Sequence, residues 1–493
     1  MKAKSMELTG LLEELRELLT IDTGCLNRIT DKFVQELDKG LSAEGGTIPM
    51  NQTWVMSLPS GRETGSYLAI DMGGTNLRVY NIHLCGDDGE PKVHQSEYQI
   101  PEELKDGKAE SLWDHIASRL QDYLTEHHIE PKEGGTLPLT FIFSYPMTQH
   151  NIDEGILQRW TKGFNVDGVE GRNVTDQFKA ALSKRVSTHS SHTSTPSKLA
   201  QNIPIAVTAM TNDTTATLMA STYMDPKTKI GCVFGTGCNA AYVEDCGSID
   251  DSNLSDVSPN TPMVINCEWG AFDNDHKVLP RTHYDKMVDE QSPRPGQQTF
   301  EKMVAGHYLG EIFRLIIVTA HEKGFIFDGQ SISQIQEPYS LDSAVVSKME
   351  QDVSKNLEAI EEYFRSELQI SCTQHELHFI HHTAELIISR AAHLSACGIA
   401  AICKKKGHET CHVGAEGSLF EKNSHFTSQI ANALAEILDW PDRRDEDPVV
   451  MFHSKGSGVG AAVIAALTLQ RAKDDDVKGI SKPEELKAQY EEQ

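Results

Sequence analysis

One pattern constrains this chain more than any other: a strand, a glycine turn and a second strand, written twice. IDMGGTNLRVY (70–80) and VFGTGCNAAYV (233–243) align without gaps, so that Gly74 falls on Gly237 and Asn76 on Asn239. β-Branched and aromatic residues flank each turn, as a pair of strands requires. The adjacent Gly73 and Gly74 permit a tight turn whose backbone N–H groups approach a phosphate closely. Thr75 and Asn76 add side-chain donors, and Asp71 stands where it can hold a metal-bound water. Gly235, Thr236 and Gly237 repeat the device. Gly414 to Ser418 and Gly456 to Gly460 are two further glycine turns, each after an apolar run. Four such turns exceed what hairpin closure needs.

The remaining organisation is that of an α/β protein. PLTFIFSY (138–145) and IPIAVTAM (203–210) read as buried parallel strands whose C-terminal ends carry polar residues. The first twenty residues predict an amphipathic surface helix. From about Phe300 the pattern predicts long amphipathic helices over 300–324, 347–368 and 377–407. Residues 186–198 (VSTHSSHTSTPSK) lack hydrophobic periodicity and read as an exposed loop. Asp474 to Asp476 and the tail after Lys482 read as a solvated face.

Composition removes several function classes. With 45 Lys and Arg against 72 Asp and Glu, the chain carries a formal charge of -27 and repels nucleic acid and acidic membranes alike. Its 493 residues are too many for one core, so two or more domains are expected. The ten cysteines form no C-x-x-C pair, which predicts reduced thiols and a cytoplasmic location. The longest near-apolar run, Gly458 to Leu469, falls short of the roughly 20 residues of a membrane span. There is no P-loop, no H-E-x-x-H and no G-x-S-x-G. The group His375, His378, His381 and His382 is expected to be ordinary helix surface.

A second set of residues suits a neutral polyol. Ser144, Thr161, Lys162, Asn212, Asp213, Asn239, Glu268 and Glu301 supply the carboxylates and neutral partners that sugar hydroxyls need, since each hydroxyl both donates and accepts. Any one of them alone would be an ordinary cap or network member.

The ordered strings IDMGGTNLRV, FIFSYP, WTKGF, TNDTTATL, FGTGCNAAYV, INCEWGAFDN, LPRTHYD, VDEQSPRPGQQTFEKMVAGHYLGE and GSGVGAA resemble the hexokinase and glucokinase family in its single-unit fungal form, from about residue 20 to 470. The resemblance implies the actin-like ATPase (ribonuclease H-like) fold, with two α/β domains around a deep cleft. It places a small domain at 66–209 plus 448–466 and a large one at 1–65, 210–447 and 467–493. It further implies ATP-dependent phosphorylation of a hexose at the 6-hydroxyl, most simply glucose, with mannose and fructose as further substrates. Asp213 is then the general base, Lys162 the cation beside the transferring phosphoryl group, and the eight polar residues above the sugar ligands. ATP and Mg²⁺ are implied at Asp71, Gly73, Gly74, Thr75, Asn76, Arg78, Gly235, Thr236, Gly237, Gly417, Ser418 and Gly456, with Asp71 reaching the metal through water.

Three positions depart from the family pattern: Met72 for Leu in the first turn, Glu416 for Asp, and Lys455 where an acidic residue is common. Two other functions share the resemblance: a catalytically weak sugar sensor acting through a partner, and an N-acetylglucosamine kinase. A monomer or weak homodimer is expected.

Overall fold

The computed structural model describes residues 2–131, 135–188, 205–441 and 443–492. From residue 189 on, the Ser/Thr-rich loop expected at 186–198 lies outside them, and 186–188 close the helix Val174–Thr188. The chain forms two compact units: Met1–Pro49, Cys232–Asn239 and Glu268–His453 make one, and Met50–Gly231, Ala240–Cys267 and Ser454–Gln493 the other.

The second unit is built on a five-stranded sheet in the order Lys92–Gln99, Asn76–Cys85, Thr64–Met72, Leu137–Phe143, Ile205–Thr211. Its first two junctions are antiparallel and its last two parallel. The glycine turn therefore joins paired strands, as expected, and LTFIF is buried on both faces because helices cover both. Leu139, Phe141 and Phe143 face a core with Trp113, Ile116 and Phe178. On the opposite face the Thr140 hydroxyl donates to the Ala461 carbonyl, 3.0 Å away, in the helix Ser457–Lys473. That helix lies against Asp213–Met224 so closely that a Cβ on Gly460 would sit 1.8 Å from the Ala216 carbonyl oxygen. In the same unit Asn51–Gln52, Pro262–Asn266 and residues 241–245 pair side by side.

The first unit is mainly helical and contains the parallel pair Cys411–Glu416 and Val449–His453. Its N-terminal helix Lys2–Leu19 buries Leu8, Leu11, Leu15 and Leu19 along one stripe, as an amphipathic helix should. The axis of the unit is Gln374–Lys406, 33 residues long, opened by a Thr373/Glu376 capping box and closed by Gly407 in the left-handed region. Its most apolar stretch has a mean hydropathy of 1.7 over 18 residues, long and apolar enough for a membrane span, but 83% of that stretch is buried inside the protein. The helix is the one expected over 377–407, with its apolar stretch interrupted by His, Ser and Arg in the sequence. Arg390 is fully buried and bidentate to Asp285, at 2.8 Å on each arm. Burial pushes the Asp285 carboxyl up, but Arg390 and Thr282 together hold it below the ordinary range.

Three expectations are corrected. The helix predicted over 347–368 is two, Ser343–Glu350 and Glu358–Ser366. Between them the Asp352 carboxylate accepts from the amides of Ser354 and Ile360, each at 3.0 Å, a local network that outcompetes helix continuation. The helix predicted over 300–324 breaks at Ala305, which is extended, into Thr299–Val304 and Gly306–Glu322. The tail after Lys482 is the helix Pro483–Glu492, whose Leu486 is buried and whose Gln489 accepts from Thr208 at 3.2 Å.

Two stability predictions follow. Arg390→Met leaves Asp285 buried without its cation and should destabilise the protein by about 3–5 kcal/mol, whereas Arg390→Met with Asp285→Leu should recover most of that loss; thermal midpoints of the three proteins test it. Gly460→Ala should cost about 3 kcal/mol or more, since both collision partners are backbone, and should lower turnover as the Asp213 helix shifts. Full stability in that variant would show that the two helices separate without penalty.

Candidate active site

Three parallel strands end together in the second unit. Met72 stands opposite Phe143, and Ile142 opposite Thr211, so the residues that follow each strand emerge at one edge of the sheet. The C-terminal edge of parallel strands is where α/β proteins present their chemistry. Here it carries Asp71 and the glycine turn, Ser144 and Tyr145, and Asn212 and Asp213.

Asn212 caps the helix Asp213–Met224, its side chain accepting from the Thr214 amide at 2.8 Å. Asp213 is the first helical residue; its Oδ1 also accepts from the Thr214 amide, at 2.8 Å. The carboxylate is thereby fixed in orientation with one oxygen engaged, a proper posture for an acid–base group.

Asp71 is buried at 7% exposure. Burial first, and the neighbouring negative charge of Asp213 second, push its carboxyl up to about 6, against the pull of Arg78, Lys162 and the Ser144 hydroxyl. Arg78 lies 3.7 Å from Asp71, but its stronger partner is Glu97 at 2.6 Å. Asn76 also donates to Glu97, at 2.8 Å.

Lys162 is exposed and takes a left-handed backbone, φ 55°, in the turn that Trp160 and Phe164 brace by stacking, 5.2 Å between ring centroids. Trp160 in turn meets Tyr145 edge-on at 4.9 Å. The Lys162 ammonium donates to the Ser144 carbonyl at 2.7 Å and lies 5.4 Å over the Tyr145 ring. Tyr145 donates its hydroxyl to the Gly73 carbonyl at 2.9 Å, tying the cation's support to the glycine turn. Gly74 is required here: a Cβ would lie 3.1 Å from the Lys162 side chain. Thr161 is half-buried in the same turn. Gly456, at φ 98°, precedes the 17-residue helix Ser457–Lys473, whose first turn no side chain caps, so its N–H groups face an anion-accepting end. Lys455 beside it is paired with Glu90 at 3.2 Å.

The other expected residues form a separate group in the first unit. Glu268 has a left-handed backbone, φ 57°; its amide donates to the Asn239 side-chain oxygen at 2.9 Å, and the Asn239 Nδ2 donates to its carboxylate at 3.3 Å. Glu301 accepts from the Cys238 amide at 3.1 Å and from Gln298 Nε2 at 3.5 Å. A Cβ on Gly237 would lie 2.8 Å from the Glu301 carboxylate, so that turn is glycine for the sake of the acid behind it. Gly235 accepts from the Gly306 amide at 2.8 Å, and Thr236 is exposed at the tip. Gly417, at φ 107°, precedes Ser418 and packs on Phe234, whose carbonyl oxygen would be 2.4 Å from a Cβ there.

Sequence reasoning missed Tyr145, Glu97 and Gln298. Tyr145 was visible in FIFSYP but read only as part of a turn; Glu97 becomes visible only through the cross-strand register that sets it opposite Arg78.

Comparison with known proteins identifies the family. Two sequence profiles of the hexokinase family match residues 11–223 and 229–467. The chain is 51% identical over 476 residues to a hexokinase of Emericella nidulans, covering 96% of this chain and 94% of that protein. It is 43% identical to hexokinase-1 of Saccharomyces cerevisiae, covering 96% and 95%. Among solved structures, the hexokinase of Schistosoma mansoni complexed with glucose is 31% identical and superimposes with a TM-score of 0.81, covering 93% of this chain and 99% of that one. The chain belongs to the hexokinase family, with its actin-like ATPase fold, and is an enzyme that phosphorylates a hexose with ATP in glycolysis.

Proposed function

We propose that glucose is the preferred hexose, with mannose and fructose as further substrates, and that Asp213 takes the proton from the 6-hydroxyl as the bond to the γ-phosphorus forms. The observation that carries this reading is the oriented Asp213 carboxylate at the strand edge, in electrostatic reach of Asp71 and Lys162. An alcohol is a poor nucleophile, and a fixed carboxylate that accepts its proton in the transition state typically contributes about 10²–10⁴-fold. Lys162, supported by Ser144 and Tyr145, stabilises charge on the transferring group. Ser144, Thr161, Asn212, Asn239, Glu268 and Glu301 bind the sugar hydroxyls.

Asp71 fits Mg²⁺: it is a buried carboxylate repelled by a second one, and its Arg78 neighbour is committed to Glu97. Asp71 would hold the ion, which when bound would supply charge neutralisation to the nucleotide phosphates. The glycine turns hold the nucleotide: Gly73, Gly74, Thr75, Asn76, Arg78 and Gly456 belong to the second unit, and Gly235, Thr236, Gly237, Gly417 and Ser418 to the first. The five-stranded sheet lies almost wholly within 66–209, which supports 66–209 with 448–466 as the small domain. The ten cysteines, all among the described residues and none in a disulfide, support a reducing, cytosolic setting, and a monomer or weak homodimer is the working form. The presence of Asp213, Lys162, Asn212, Glu268 and Glu301 together in the chain supports turnover over a sensor without it.

ADP formation with Mg-ATP across glucose, mannose, fructose, N-acetylglucosamine and no sugar tests the proposal. Glucose should give the highest kcat/KM and omission of sugar almost none. Asp213→Ala should lower kcat by about 10³-fold with a smaller change in KM. Lys162→Met should lower it by about 10²-fold. Wild-type turnover in Asp213→Ala would overturn the mechanism, and a preference for N-acetylglucosamine would overturn the substrate.

A further inference from the structure

The helix Gln374–Lys406 brings four histidines into its first turns. His375 and His378 are exposed, as expected of helix surface, but His381 and His382 are half-buried and converge with Glu385. One ligand atom from each of these three lies within 4.8 Å of the others. His382 Nδ1 is 2.6 Å from one Glu385 oxygen, and His381 Nε2 is 3.5 Å from the other.

The tautomer of His381 follows from its second partner. Its Nδ1 lies 2.9 Å from the Met349 carbonyl oxygen, which can only accept, so Nδ1 carries the proton and Nε2 is the atom turned toward Glu385. A ligating imidazole is oriented in just this way, one nitrogen donating to a backbone carbonyl while the other meets the metal. An Nε2 facing a carboxylate oxygen needs a proton or a cation between them; without a metal the Glu385 contact supplies the reason for a proton and raises the His381 pKa. The 3.5 Å gap is long for a hydrogen bond. It is close to the edge of a tetrahedral zinc site, where ligands about 2.0–2.1 Å from the metal lie about 3.4 Å apart, whereas the 2.6 Å His382–Glu385 contact is a hydrogen bond that a bound cation would displace.

His378 completes the set. It precedes His382 by four residues, the spacing at which two helical imidazoles share one metal, and its ring stacks on His382 at 6.3 Å and 18°. Glu350, at the end of the helix that holds Met349, adds a further negative charge that acts on His381 and Glu385.

We propose that His381, His382 and Glu385 form a binding site for one divalent transition cation of the zinc class, with His378 as the fourth ligand. Imidazole nitrogens select such a cation over Mg²⁺ and Ca²⁺, which take oxygen, so the site is chemically distinct from the one that serves ATP. Through His381 and the Met349 carbonyl, the cation would tie Ser343–Glu350 to Gln374–Lys406, the join just before the helix break at 351–357.

Calorimetric titration of the full chain with ZnCl₂, without nucleotide and with excess MgCl₂, tests the site. The wild type should bind one equivalent more than His382→Ala and than Glu385→Gln, with a Kd of about 10 µM or below. His378→Ala should weaken that equivalent by about 10-fold without removing it. Hexose phosphorylation with Mg-ATP in the absence of zinc should be unchanged in all three variants, which establishes that they are folded. Equal zinc stoichiometry in the wild type and both deletion variants, or displacement of the extra equivalent by millimolar Mg²⁺, would overturn the proposal. Should His382→Ala lose phosphorylation, Glu385→Gln alone decides the comparison.

Discussion

The parallel pairing of Thr64–Met72, Leu137–Phe143 and Ile205–Thr211 is the constraint on which the chemistry rests. Parallel strands need crossover connections, and both faces must be covered, so these strands are mostly apolar and carry polar residues at or just after their C-terminal ends. The register then delivers Asp71, Ser144 and Asn212–Asp213 to one edge, where Asp71, Ser144 and Asn212 are buried. The helix Ser457–Lys473 secures this edge from behind, because Gly460 lets it approach the backbone of the Asp213 helix where no side chain would fit. Hydrophobic packing thus sets the position of the helix that begins at Asp213.

The same edge gathers charge that the protein alone leaves unbalanced. Asp71 is buried and raised to about 6 by its surroundings and by Asp213, while Arg78 divides itself between Asp71 and a closer Glu97. Two carboxylates in a partly desolvated place are costly unless something positive joins them. Lys162 supplies part of that charge on a turn held by Trp160, Phe164 and Tyr145. The balance that remains is negative, which favours a bound cation over an added anion at this edge.

Much of this was legible in the residues. The glycine turns, the buried strands with polar ends and the polyol-binding set all appear in the sequence because each is a local signal: φ freedom, apolar runs, residue type. What was not legible depends on partners distant in the chain. Glu97 matters only because antiparallel register sets it against Arg78, and the break at 351–357 only because Asp352 finds the Ser354 and Ile360 amides. In Gln374–Lys406 the helix was legible but its buried cation was not: Arg390 reads as surface until Asp285, 105 residues earlier, is found to neutralise it. His381 and His382 were read as surface on the same logic, since nothing near them in sequence announces the Met349 carbonyl.

The two aligned glycine turns show how one local design serves two purposes. In both, the equivalent asparagine grips a glutamate: Asn76 holds Glu97 at 2.8 Å, and Asn239 holds Glu268 at 3.3 Å. They differ two residues on, where the first copy has Arg78 and the second Ala241. Arg78 neutralises Glu97 and makes that glutamate part of the scaffold. Position 241 carries no such cation, so the Asn239 contact to Glu268 is not backed by an arginine two residues on. Glu268 is further set apart by a left-handed backbone at φ 57°, a conformation costly for a non-glycine residue and held by the Asn239 bond to its amide. One arginine-to-alanine difference between the repeats therefore separates a glutamate ion-paired from the same strand as its asparagine from one that is held by the asparagine without that arginine.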